Sequence, residues 1–194
     1  MARSARSTIR HGLLGGAVAF VVFGAATAAI GNGADWHEAR PFMATSEGVS
    51  RVTGMPSPGV FTSVGTGTIT GTHIGTGTYE LAATQNYPRH VEAEHPANDC
   101  AFVNGTLTIQ AADGSQINGD LDADRSVSCV SEQFPGPGVD AAYLATLYIH
   151  VVGGTGRFAD ATGWLFARGT STADAPPAGT TFTDTGIVLG DIDY

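Results

Sequence analysis

The chain reads as an all-β protein on three observations. Short segments rich in Val, Ile and Thr alternate apolar and polar residues with a period of two, and clusters of Gly, Pro, Asp and Ser separate them at near-regular intervals. No segment carries a sustained 3.6-residue apolar period, so helix content should be low. A series of this kind makes a sandwich or a barrel. Flat, Thr- and Gly-rich strands with open edges would recruit other chains, and closing the sheet removes those edges.

Taken in order, residues 1–30 form a targeting segment. Arg3, Arg6, Arg10 and His11 precede an uncharged apolar stretch over 12–30, and Ala26-Thr27-Ala28 supplies the small-x-small exit of a signal-peptidase site. An uncleaved membrane anchor is the rival reading, weakened by the many Gly and Ala residues of the stretch. Export with cleavage is therefore expected, leaving the mature chain secreted and free of the membrane. Residues 31–59 show no period and carry Pro41, Pro56 and Pro58, which predicts an extended lead-in. From residue 60 the strands follow at 62–70, 75–84, 101–110, 116–130, 141–152, 163–171, 180–189 and a last piece at 192–194. Longer polar loops are expected at 85–99 and 131–140, and a Pro-rich one at 172–179. The Gly-Thr repetition over 65–78 has the period of the pleat itself and places Gly on the crowded side of the strands.

A chain of 194 residues with 42% apolar content holds one globular domain and can bury a core without metal or disulfide help. All nine basic residues besides histidine are arginine. Once residues 1–30 are removed, six arginines face eighteen acids, a formal charge of −12. Such a surface repels nucleic acid and anionic lipid, and it opposes self-association although a homo-oligomer is not forbidden. Cys100 and Cys129 fit a disulfide in an oxidising compartment, because they bracket the 112–115 hairpin turn almost symmetrically. Their fit to a simple hairpin is imperfect. Odd positions form the apolar face of both flanking segments, so facing residues should sum to an even number, whereas these two sum to an odd one. Either a bulge intervenes or Cys100 lies just past its strand.

Several chemistries fall away on spacing. Gly153-Gly154-Thr155-Gly156 lacks the βαβ setting of a dinucleotide site, and no Gly-Lys-Ser/Thr follows the other glycines. There is no Gly-x-Ser-x-Gly elbow, and bridged cysteines are not nucleophiles. Asp120, Asp122 and Asp124 tempt toward calcium, but Arg125 and Ser131 stand where an EF-hand loop needs Gly and Glu. His90, Glu92, Glu94, His95 and Asp99 offer metal-ligand types without a defining spacing, so no metal is assigned and no cofactor is expected.

The run Gly153-Gly154-Thr155-Gly156-Arg157-Phe158-Ala159-Asp160-Ala161-Thr162-Gly163 resembles the corner of the dirigent proteins and of the barrel domain related to allene oxide cyclase. Gly71-Thr72-His73-Ile74-Gly75, Gly105-Thr106-Leu107-Thr108 and Ala112-Asp113-Gly114 look like the earlier strands of bacterial secreted members. The resemblance covers 60–194 and implies a single closed antiparallel β-barrel of about eight strands, with Phe158 plugging one end. It also implies a lumen that holds a small hydrophobic molecule and steers a cofactor-free cyclisation or coupling largely by shape. The corner itself is structural, and no catalytic residue carries over.

Binding residues are therefore sought among polar side chains on apolar strand faces. Arg125 shares a phase with Ile117, Leu121 and Val127, and Tyr143 shares one with Leu147, Ile149 and Val151. If those odd faces are inner, Arg125 is a cationic anchor for an anionic group and Tyr143 a hydrogen-bond donor. Two functions follow: a barrel binding a small apolar ligand, extending to a cyclase or isomerase, or a structural or surface-interaction protein whose barrel is filled by its own side chains.

Overall fold

The computed structural model describes residues 39–92, 100–130, 141–173 and 181–194. Among these lie β1 (Arg40–Ser57), β2 (Val60–Gly71), β3 (Gly75–Asn86), a short helix α1 (Tyr87–Glu92), β4 (Cys100–Gln110), β5 (Gln116–Leu121) and β6 (Val127–Val130). They are followed by β7 (Ala141–Thr155), a 3-10 turn (Gly156–Phe158), β8 (Thr162–Ala173) and β9 (Thr181–Asp193). Each strand pairs antiparallel with the next around the circuit, and β9 returns to β1 while β3 joins β4. The sheet is thus a closed barrel with eight positions. One position is shared, because β5 and β6 both lie between β4 and β7, one toward each end.

The barrel starts earlier than the expected residue 60. Residues 40–57, read as a lead-in, are a full strand whose register with β9 runs from Arg40↔Ile192 to Arg51↔Thr181. The inward positions of β1 are Phe42, Ala44, Ser46, Gly48 and Ser50, so its buried face is mostly small and partly polar. Pro41 sits at the strand start and Pro56 and Pro58 at its end, where a missing N–H is tolerated.

The expected strand 116–130 is broken. After β5 the chain turns over Asp122–Arg125, held by the Arg125 and Ser126 amides donating to the Asp122 carbonyl and by the Asp124 amide donating to Asp122 Oδ1. Ser126 then bonds β7 by its hydroxyl, which donates to the Tyr148 carbonyl and accepts from the Tyr148 amide. The extra residues shift the register against β4 and reverse the phase: Ile117, Gly119 and Leu121 are buried on β5, but Ser126 and Ser128 are buried beyond the turn. That shift accounts for the odd cysteine sum. Cys100 faces Cys129 in register and the two are bonded.

One end of the barrel is packed solid. Phe158 from the 3-10 turn and Ile74 from the β2–β3 turn plug it over Ile109, Ile117 and Ile192, all at 2% exposure or less. The Phe158 ring meets Tyr194 edge-on at 4.6 Å. The glycine-rich corner over 153–163 needs positive-φ backbone at Gly153, Gly156 and Gly163, with φ of 131°, 60° and 135°. Arg157 ties the plug to its neighbours through an ion pair with Asp113 and a hydrogen bond to the His73 carbonyl. At the opposite rim, α1 begins with the Asn86 side chain accepting from the Arg89 amide at 2.9 Å, and Arg89 pairs with Asp124. Residues 93–99, 131–140 and 174–180, where longer loops are expected, lie outside the described residues.

Candidate functional site

Inward positions change character along the barrel axis. Near the plug they carry Ile, Val and Phe; toward the other rim β1, β2 and β8 carry mostly Ser, Gly and Ala, while β3, β4 and β7 keep Leu and Val among theirs. Small side chains on one side do not reach the opposite wall, and a cavity of about 150 Å³ remains in the part of the barrel away from the plug. Its floor is Ile69, Ile149 and Val188.

The two sides of the cavity differ in chemistry. On the β3–β4–β7 side Leu81, Val103, Leu107, Ala145 and Leu147 present an apolar wall. On the β1–β9–β8 side stand Ser46, Ser50, Asp184 and Ser171, with Asp184 in register between Gly48 of β1 and Ser171 of β8. Burial pushes the Asp184 carboxyl above the ordinary aspartate range, and hydroxyl hydrogen bonds from Ser171 and Ser50 act against that rise. Its Oδ1 atom is buried and has no hydrogen-bond partner.

Tyr79 crosses the lumen from β3 and rests on a pair of glycines. Gly48 and Gly67 face each other in register, and a Cβ at Gly67 would sit 2.8 Å from Tyr79 Cε1, while one at Gly48 would collide with the hydroxyl. Only glycine at both positions lets the ring lie flat against the wall. The Tyr79 hydroxyl is pushed up to about 12, first by burial and then by the nearby Asp184 charge.

The expected anchors separate. Tyr143 does belong to the inward phase of β7, at the open rim, where its ring meets Phe182 edge-on at 5.5 Å above the level of Asp184. Arg125 does not line the lumen. It lies in the turn between β5 and β6, exposed, with its guanidinium 3.9 Å over the Tyr148 ring on the outer wall. The phase reversal at 122–126 is the reason, since extrapolating the odd face of β5 past Leu121 no longer leads inward. Tyr148, His150, Trp164 and Arg168 all belong to the outer phase, and His150 stacks on Trp164 at 4.6 Å.

Asp184 and Tyr79 were not anticipated. The available signal for Asp184 is its phase: it alternates with Phe182, Gly186 and Val188, opposite the threonines at 181, 183 and 185. Ile187 and Leu189 fall on the threonine face, which blurs that signal. Among the described residues no group of three His, Cys, Asp or Glu side chains is placed to hold a metal ion. The metal-ligand types from His90 to Asp99 lie outside the described side chains. No protein-family model, no curated protein and no solved structure matches the chain.

Proposed function

We propose that the protein is an exported barrel that binds one small, mostly apolar molecule in its lumen. The observation that carries this reading is the choice of inward residues around Asp184. Gly65 stands with Ser46, Ser50, Ser63 and Ser171 on the lining where a self-filled barrel would place larger side chains. The packed end of the same barrel demonstrates the alternative. A volume of about 150 Å³ is smaller than an ordinary ligand pocket and close to one that admits a single benzene-sized guest. Ligand size is therefore one ring or a short chain, with any excess projecting into the mouth. The resemblance of the Gly153–Gly163 corner to dirigent and allene oxide cyclase-like barrels supports the same reading. A cofactor-free isomerase or cyclase is the second reading, favoured by a carboxyl that burial keeps protonated to higher pH beside the Tyr79 hydroxyl.

Native mass spectrometry of protein purified from its own source tests the first reading. We expect a single small adduct that is lost on denaturation. Absence of any adduct, together with no chemical-shift change in the lumen on adding toluene, would return the protein to the filled-barrel class. The denatured mass also reads export: a chain starting between about residues 29 and 35 is expected, and an intact N-terminus would overturn cleavage.

A further inference from the structure

We infer that the lumen selects a ligand carrying a protonated amine on a small apolar body, the ammonium paired with the Asp184 carboxylate that lines the cavity and the body against Leu81, Leu107 and Leu147. This rests on the reading of the lumen as a ligand site and specifies the ligand class. The first support is the unpartnered oxygen. Asp184 Oδ1 is buried without a hydrogen-bond partner, and the Ser50 and Ser171 hydroxyls that donate to the same carboxyl do not neutralise it. A largely buried carboxylate that only neutral hydroxyls serve still carries a desolvation cost, and a cation that pairs with it offsets part of that cost.

The second support is that the chain offers no such cation from within the described residues. The sequence holds no lysine. Arg89 and Arg157 are committed to Asp124 and Asp113, and Arg40 and Arg125 lie over Tyr194 and Tyr148. Arg51 and Arg168 are exposed on the outward phases of β1 and β8; Arg168 borders the cavity, where its carbonyl lies beside Gly186. The third support is the division of the cavity, with the carboxyl and serines on one side and leucines on the other, which matches an amphipathic molecule of about one ring. A charge-assisted contact is about twice as strong as a neutral one, so an amine outcompetes an alcohol of equal size at this carboxylate. The formal charge of −9 on the whole chain also draws cations rather than anions toward the mouth.

Titration with three probes of nearly equal size, benzylamine, benzyl alcohol and toluene, followed by NMR at neutral pH, tests the proposal. Benzylamine is expected to bind at least about tenfold tighter than toluene, and Asp184→Asn to erase that preference while toluene still binds. Retained toluene binding shows that the variant is folded with its lumen intact. If benzylamine binds no tighter than toluene, or keeps its advantage in Asp184→Asn, the amine assignment fails while the lumen remains a ligand site. Tightest binding of benzyl alcohol overturns it equally, since a neutral carboxyl would then be the partner. If none of the three binds, the reading of the lumen as a ligand site fails as well.

Discussion

Replacing Ala145 by leucine tests the hollow lumen directly. Ala145 points inward from β7, lines the cavity, and has Ser128 of β6 and Gly169 of β8 as its register partners. Both neighbours are small, so three added carbons can extend into the cavity rather than into packed side chains. At about 0.8 kcal/mol per buried carbon the gain is at most about 2.4 kcal/mol. Ordering a leucine costs roughly 0.5–1 kcal/mol of rotamer freedom, which leaves about 1.5 kcal/mol. For a domain of this size that raises Tm by roughly 3–6 °C. The same carbons occupy roughly half of the 150 Å³ space at interior packing density, so toluene binding should be lost. Thermal unfolding measures the first effect and NMR titration the second. A destabilisation of more than about 1 kcal/mol is the signature of overpacking, and combined with unchanged toluene binding it would refute a cavity at this position.

Three further outcomes follow from the same geometry. Replacing Cys100 and Cys129 together by alanine releases a loop of sequence separation 29, and the chain-entropy relation gives a loss of about 3.6 kcal/mol, read by urea unfolding. A loss below about 1 kcal/mol would show that the bridge does not constrain the unfolded chain as that relation assumes. Phe158→Ala removes a fully buried ring from the plug and should cost about 3–5 kcal/mol, whereas a cost near zero would mean that the end is not sealed by that ring. For Asp184, burial raises the native carboxyl above its ordinary value of 3.8, so the folded state holds the proton more tightly than the unfolded chain. Stability should therefore fall as pH rises from near 3.8 through the raised native value and then level off, with the decline absent in Asp184→Asn. Parallel stability curves for the two proteins between acid and neutral pH would contradict the burial of that carboxyl.

How far the residues alone lead depends on whether the decisive interaction is local. Strands β2, β3, β4, β7, β8 and β9 announce themselves through Val, Ile and Thr alternation, and the expected segments fall within or close to their observed bounds. β1 does not, because Phe42 is the single large apolar residue among its inward positions at 42–50 and its partner β9 lies more than a hundred residues away. The break between β5 and β6 leaves a trace, the odd sum of the two bridged cysteines. That same odd sum implies a phase change between Leu121 and Cys129, which takes Arg125 off the inward face.

By itself, then, the sequence determines an all-β chain with a Gly-rich corner, because backbone alternation and positive-φ glycines are properties of short stretches, and its two cysteines leave a single possible pairing. Tertiary structure alone decides which face of each strand looks inward once the sheet closes, and so which polar groups share the lumen. Asp184, Ser50, Ser171 and Tyr79 come from four strands spread over more than a hundred residues, and their meeting depends on barrel register. Register is a property of strand pairs and not of strands, since a slip of one residue sends every side chain to the opposite face.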